Sequence, residues 1–225
     1  AVAGRLSEDP QTSVALFEAG DDGKHWMVWT PLAGAIMVPG KIRNWAYETV
    51  PQKGLGGRIG YQPRGKTLGG SSGINAMVYI RGHRWDYDHW ASLGNPGWSY
   101  ADVLPYFRRS ENNETRSDEF HGKGGPLNVA ELRTGNPLQE IFLDAAREVQ
   151  MPMTPDFNGE RQEGFGTYQV TQINGERCSA ARAYIHPHIG KRPNLFVQTG
   201  AQVVRILFDG KRAVGAEFQV GDQKK

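Results

Sequence analysis

Hydrophobic and polar positions change their spacing several times along this chain. Residues 1–7, Ala-Val-Ala-Gly-Arg-Leu-Ser, read as the last turns of a helix that Pro10 ends. The apolar run Ser13-Val-Ala-Leu-Phe17, closed by Glu18-Ala-Gly20, reads as a short buried strand with an acid at its end. Residues 21–63 carry Gly, Pro and aromatics without a clear period, and are expected to be a long excursion with short elements. From Ser99, with Asp102 three residues on, a capped helix is predicted to run to Glu111. Pro105 should kink or delay it. The clearest helix spans 136–150. Asn136 caps it, Pro137 opens it and Pro152 ends it. Leu138, Ile141, Phe142, Ala145 and Val149 recur at spacings of three and four, which predicts one core-facing apolar stripe. Further on, Asn194-Leu-Phe-Val-Gln-Thr199 is a strand candidate. Val203–Phe208 and Ala213–Val220 form a predicted hairpin through Asp209-Gly210, and no element is expected at Lys224-Lys225. The fold class is α/β, α+β overall.

Length and charge narrow the function classes. The 225 residues suffice for one sizeable domain or a domain and a half. A net charge of +2 is too small to argue for a nucleic-acid partner. The longest apolar patch, around Pro31 to Val38, is too short for a transmembrane helix, and no basic-then-apolar leader opens the chain. Cys178 is the single cysteine, so no disulfide framework is possible within the chain. A cytoplasmic location is expected, with peripheral membrane attachment as the alternative. The 29 glycines cluster locally without a fixed period, which implies a backbone that must come close to something.

The chemistry concentrates in Pro63-Arg-Gly-Lys-Thr-Leu-Gly-Gly-Ser-Ser-Gly-Ile-Asn-Ala-Met-Val-Tyr-Ile-Arg-Gly82. Gly69, Gly70, Ser71 and Ser72 offer consecutive backbone N–H groups with little steric cover, a possible nest for phosphate oxygens. Serine hydroxyls add donors, Arg64 and Lys66 add positive charge, and Asn75 can both donate and accept. Ala76, Met77, Val78 and Tyr79 follow, the last three with apolar surface suited to a flat ring. A glycine-rich surface turn before a strand has the same composition, so the residues alone leave both readings open.

The stretch Gly65-Lys-Thr-Leu-Gly-Gly-Ser-Ser-Gly-Ile-Asn75, followed by Tyr79, Gly82 and Asp88, resembles the first signature of the glucose–methanol–choline (GMC) oxidoreductase family. Gly97-Trp-Ser-Tyr100, Leu104-Pro-Tyr-Phe107, His121-Gly122, Arg177, Ser179, Ala183-Tyr184 and Arg192-Pro-Asn-Leu195 extend the likeness over nearly the whole chain. The nearest likeness is to choline-dehydrogenase-like and alcohol-dehydrogenase-like members.

The resemblance implies FAD as cofactor and a small alcohol as substrate, oxidised to an aldehyde by hydride transfer to flavin N5. Glu18 would bind the adenosine ribose, although a strand-end acid is otherwise an ordinary solvated group. Leu68 and Gly69 to Ser72 would lie along the pyrophosphate and flavin. Asn75, Ala76, Met77 and Val78 would meet the ring edge. Arg64 would help the phosphates or form a surface ion pair. Val203 would offer its backbone to the adenine while its side chain joins the core. Where covalently flavinylated members carry a histidine, this chain has Ile74, so non-covalent FAD is expected.

The resemblance also implies domain limits: 1–130 a partial FAD-binding, Rossmann-like domain, 131–190 the start of a substrate-binding domain, and 191–225 a return to the FAD domain. The family's first strand and Gly-x-Gly-x-x-Gly loop are expected before Ala1, and its catalytic histidine pair beyond Lys225. The chain alone is therefore expected to be inactive. None of the six histidines sits in a motif that matches the catalytic base, and His186-Pro-His188 without an acidic partner does not argue for a metal. Two other functions remain: an oxygen-using oxidase of the same family, and a non-catalytic FAD-binding or interaction fragment. Trp26, Trp29, Trp45 and Tyr47 are expected to fill core rather than line an entry.

Overall fold

The strand expected at 13–17 forms as Val14–Phe17 and pairs in parallel with Leu195–Gln198, with Val14 opposite Leu195. In the computed structural model, which describes residues 1–224, this pair belongs to one of two compact units. The first comprises Ala1–Ala76 and the described residues from Gly175 onward; the second is Met77–Asn174. The expected limits at 130 and 190 do not coincide with these divisions. The reason is strand pairing: Val78–Tyr79 pairs with Gln169–Val170, which draws the intervening residues into one body. The fold class is mixed α/β.

In the first unit the Val2–Leu6 helix packs closely against a second helix, Ala180–Tyr184. A β-carbon on Gly4 would fall 2.4 Å from the Tyr184 carbonyl oxygen. The Arg192 guanidinium donates to the Gly4 carbonyl at 2.6 Å and to Ser7 Oγ at 2.9 Å. Asn194 Nδ2 donates to the Ser7, Asp9 and Thr12 carbonyls at 2.9–3.1 Å. These bonds fix the turn that delivers the chain into Val14–Phe17. That strand is half-buried with Ala15 exposed, less enclosed than the apolar run suggested, and among the described residues it pairs with a single neighbour.

The predicted hairpin is present as Ala201–Asp209 and Arg212–Val220, turning at Gly210 with φ +57°. A short third strand, Gln223–Lys224, follows where no element was expected. Phe218 on the hairpin meets Phe17 with ring centroids 4.6 Å apart. Residues 21–63 contain only short elements, as their lack of period implied.

The second unit is built on a sheet ordered Val78–Tyr79, Gln169–Val170, Leu127–Glu131, Glu111–Asn113. Two helices with reciprocal caps, Arg84–Ser92 and Tyr100–Ser110, precede its inner strands. Pro105 lies inside the latter, which runs unbroken on both sides of it. The Pro137–Glu148 helix is capped by Asn136 Oδ1 accepting from the Leu138 N–H at 3.1 Å. Its predicted core face is overturned. Leu138, Ile141, Phe142 and Val149 are exposed, and the helix buries Leu143 and Ala146 instead. Spacing identified a stripe but not which side of the helix meets the rest of the unit. No helix of the described residues is long and apolar enough to cross a membrane.

The centre of this second unit is polar. Glu111 is fully buried, 2.6 Å from Arg81 Nη2, and accepts from Asn113 Nδ2 at 2.7 Å and the Gly122 N–H at 3.2 Å. Breaking a buried ion pair leaves its partner uncompensated. Glu111→Ala is expected to cost about 3–5 kcal/mol in urea unfolding. A loss below about 1 kcal/mol would show that Arg81 and Glu111 are solvated.

Candidate functional site

In the Ala1–Ala76 and Gly175 unit, the motif loop lies against the end of the Val14–Phe17 strand. The Glu18 N–H donates to the Gln198 carbonyl and its own carbonyl accepts from Ala201, both at 2.9 Å. Its backbone is thereby held between the parallel strand and the hairpin. One carboxylate oxygen accepts from the Gly20 N–H at 2.7 Å. Burial raises the Glu18 pKa above its ordinary value, and the Gly20 hydrogen bond only partly offsets this.

Close backbone approach seats the loop. A β-carbon on Gly20 would fall 2.0 Å from the Lys66 carbonyl oxygen, and one on Gly65 would fall 2.3 Å from that of Gly70. Gly69 has φ +94° and would meet the Ala181 nitrogen at 2.9 Å. Gly70 has φ +58° but open space where a β-carbon would stand. The dense glycines therefore serve two needs: most admit the chain's own backbone, and Gly70 leaves the outer side uncovered. Between them Gly70–Gly73 forms a single 3₁₀ turn.

Side chains lock this turn from beneath. Thr67 is fully buried, and its hydroxyl donates to Asp21 Oδ1 at 2.5 Å. Arg43 pairs with the other Asp21 oxygen at 2.6 Å. Burial opposes ionisation of Asp21, but the bonds from Thr67 and Arg43 prevail and hold its pKa below the usual range. The Leu68 N–H donates to the Asp21 carbonyl at 2.8 Å, and its side chain is core. Lys66 Nζ stands 4.3 Å over the Trp45 ring.

Ser72 is engaged internally. Its hydroxyl donates to the Gly69 carbonyl at 2.6 Å and accepts from the Ala180 N–H at 2.9 Å, satisfying a first-turn donor of the Ala180–Tyr184 helix. Ser71 Oγ accepts from Gly65 N–H at 3.1 Å, and Ser71 is exposed. Asn75 and Ala76 are exposed too. Ile74 is buried with Ala33 and Met37. Arg64 is exposed, its guanidinium folded onto the Pro63 carbonyl and Gln62 Oε1.

Arg177, noted in the sequence only as a motif position, lies directly under the turn at 1% exposure. Nη1 donates to the Asn75 carbonyl at 2.7 Å, Asn75 Oδ1 at 2.9 Å and the Ser72 carbonyl at 3.3 Å, while Nε donates to the Val28 carbonyl at 2.9 Å.

The remaining expected residues fall elsewhere. Val203 pairs with Phe218 at an irregularity before Arg205, and its side chain is 39% exposed instead of core. Met77 and Val78 begin the second unit; Met77 is buried there with φ +61°, and Val78 is exposed. Trp26, Trp29 and Tyr47 are exposed rather than core among the described residues.

The family profile described as GMC oxidoreductase matches residues 18–225. The chain belongs to that family. It is 45% identical over 221 residues to an oxygen-dependent choline dehydrogenase of Brucella anthropi, an alignment covering 98% of this chain and 40% of the relative. It is 44% identical over 224 residues to the mitochondrial choline dehydrogenase of Homo sapiens, covering 96% and 38%. The chain thus spans about two-fifths of the length of these curated relatives. Among solved structures, pyridoxine 4-oxidase from Mesorbium loti superposes with TM-score 0.92 at 32% identity, covering 99% of this chain and 44% of that one.

The double role of Ser72 yields a prediction. Ser72→Ala removes one donor and one acceptor from a part-buried site and is expected to cost about 1–3 kcal/mol in urea unfolding, with the midpoint falling accordingly. Ser71→Ala should cost less. Equal losses would contradict the brace.

Proposed function

We propose that these residues are the cofactor-holding part of an FAD-dependent oxidoreductase that converts a CH–OH group to a carbonyl. The observation that carries the reading is one juxtaposition: a glycine turn open on its outer side at Gly70, in the same unit as a half-buried carboxylate at a strand end, Glu18. The residues fit the group. Glu18 has one oxygen occupied by the Gly20 N–H, and its carboxylate form can accept from a ribose hydroxyl. Leu68, through its backbone, and Gly69, Gly70, Ser71 and Ser72 would follow the pyrophosphate, with Arg64 free to swing from the Pro63 carbonyl toward it. Asn75 and Ala76, exposed at the end of this segment of the same unit, would border the ring. At Val203 the ladder irregularity supports a backbone role toward adenine.

When bound, FAD would supply the hydride acceptor: the substrate C–H bond breaks with its electron pair passing to the flavin, and the hydroxyl proton passes to a base. No residue of this chain is proposed as that base. The first compact unit is assigned to the cofactor and Met77–Asn174 to the start of the substrate-binding region. Identity of 44–45% to choline dehydrogenases favours an alcohol of the choline type as substrate.

Attachment is proposed to be non-covalent, supported by the aliphatic, core-packed Ile74. Acid precipitation of the flavin-loaded full-length protein should leave a yellow supernatant and a colourless pellet; flavin retained in the pellet would overturn this.

Glu18 makes a second test. Its carboxylate is the accepting form, so FAD affinity should be full above its raised pKa and decline as pH falls through it. Glu18→Gln should weaken FAD binding about tenfold or more near neutrality and abolish that pH-dependent decline. Fluorescence titration against pH measures both. An unchanged profile would remove Glu18 from the site.

A further inference from the structure

A buried cation without a counter-ion needs a physical reason. Arg177 is 1% exposed, yet every group it bonds is a neutral oxygen: the carbonyls of Val28, Ser72 and Asn75, and Asn75 Oδ1. Among the described residues no carboxylate pairs with it, and Nη2 has no hydrogen-bond partner. Burial alone pulls its pKa down to about 10, still leaving it charged at neutral pH. This contrasts with Arg81 and Arg43, which each have a carboxylate at 2.6 Å.

Neutral side chains could tie these carbonyls together at lower desolvation cost. A β-carbon on Gly34 would stand 3.6 Å from Nη2, an ordinary contact distance, so the Gly34 backbone packs against this unpartnered end of the guanidinium. One of the two segments Arg177 grips, the Ser72–Asn75 turn, is proposed to border the cofactor.

We infer that Arg177 is a positioning residue with an electrostatic function: it presets the Ser72–Asn75 turn and supplies uncompensated positive charge that favours the two-electron-reduced, more negative cofactor. The inference rests on the FAD reading above. Arg177 touches no substrate and moves no proton; it acts through the turn and through its field. At an effective dielectric near 20, a unit charge acting over ~10 Å changes an equilibrium more than tenfold.

The test uses the FAD-loaded full-length protein with Arg177→Met and Arg177→Lys, reading midpoint potential by dye equilibration and FAD affinity by fluorescence. Arg177→Met should lower the potential by about 30 mV or more, a tenfold change in the two-electron equilibrium. Arg177→Lys should weaken FAD binding through loss of the fork, yet hold a potential close to wild type at pH 6. Burial depresses a lysine pKa, so toward pH 10 its potential should step below the wild-type curve. This second variant carries the test if Arg177→Met fails to fold. A potential unchanged in Arg177→Met, or a lysine variant whose curve runs parallel to wild type throughout, would reduce Arg177 to a structural tie. If the wild-type protein itself holds no FAD, the proposed function fails; if it does and only these shifts are missing, the Arg177 inference alone fails.

Discussion

The Lys66 carbonyl oxygen occupies the place where a β-carbon on Gly20 would stand, and the Ala181 nitrogen crowds the same place on Gly69. The motif turn is pressed between two segments distant in sequence, one leaving the first strand and one opening a short helix. Side chains could not be accommodated at either face, so the packing is backbone on backbone. That contact sets where Thr67 meets Asp21, where Ser72 meets Ala180, and how far Arg177 lies beneath. A turn held this closely has little freedom to reorganise around a ligand, which is the kind of preorganisation that cofactor sites require.

The glycine motif was legible in the sequence because its information is local. Type and spacing identify the family, and caps such as Asn136 and Ser99 announce helices within three residues. What was not legible depends on distant partners. Nothing near Asp21 signals that it will receive Thr67, 46 positions on. Arg177 appeared as a motif letter, and its meaning arises only from carbonyls more than 100 positions away. The 137–148 helix shows the same limit for packing: its apolar period is present, but the residues it buries are Leu143 and Ala146, off the expected stripe. The aromatics near Trp26 show a related limit, because residue type signals a tendency to be buried but not the layer that would do the burying.

The most deeply buried cations of the two units are met differently. Around Glu111 and Asn113 in the second unit, charge meets charge, and amides meet amides and carboxylates; Gln169 and Asn113 exchange bonds at 2.9–3.3 Å. Such a network of paired charges and amides fixes one arrangement of short strands. In the first unit, the deepest cation is met only by carbonyls. The former is suited to holding a shape and the latter to imposing a field.

The bond from Asn194 to the Thr12 carbonyl closes a loop of 182 positions. At ribosomal rates of ~5–20 residues per second, the Val14–Phe17 strand emerges roughly 10–35 seconds before its parallel partner exists. During that interval its edge toward Leu195–Gln198 is unpaired. The Met77–Asn174 unit, contiguous in the chain, can complete its own sheet meanwhile. Synthesis therefore favours an inside-out order of maturation, in which the inserted unit forms first and the unit that encloses it in sequence closes last.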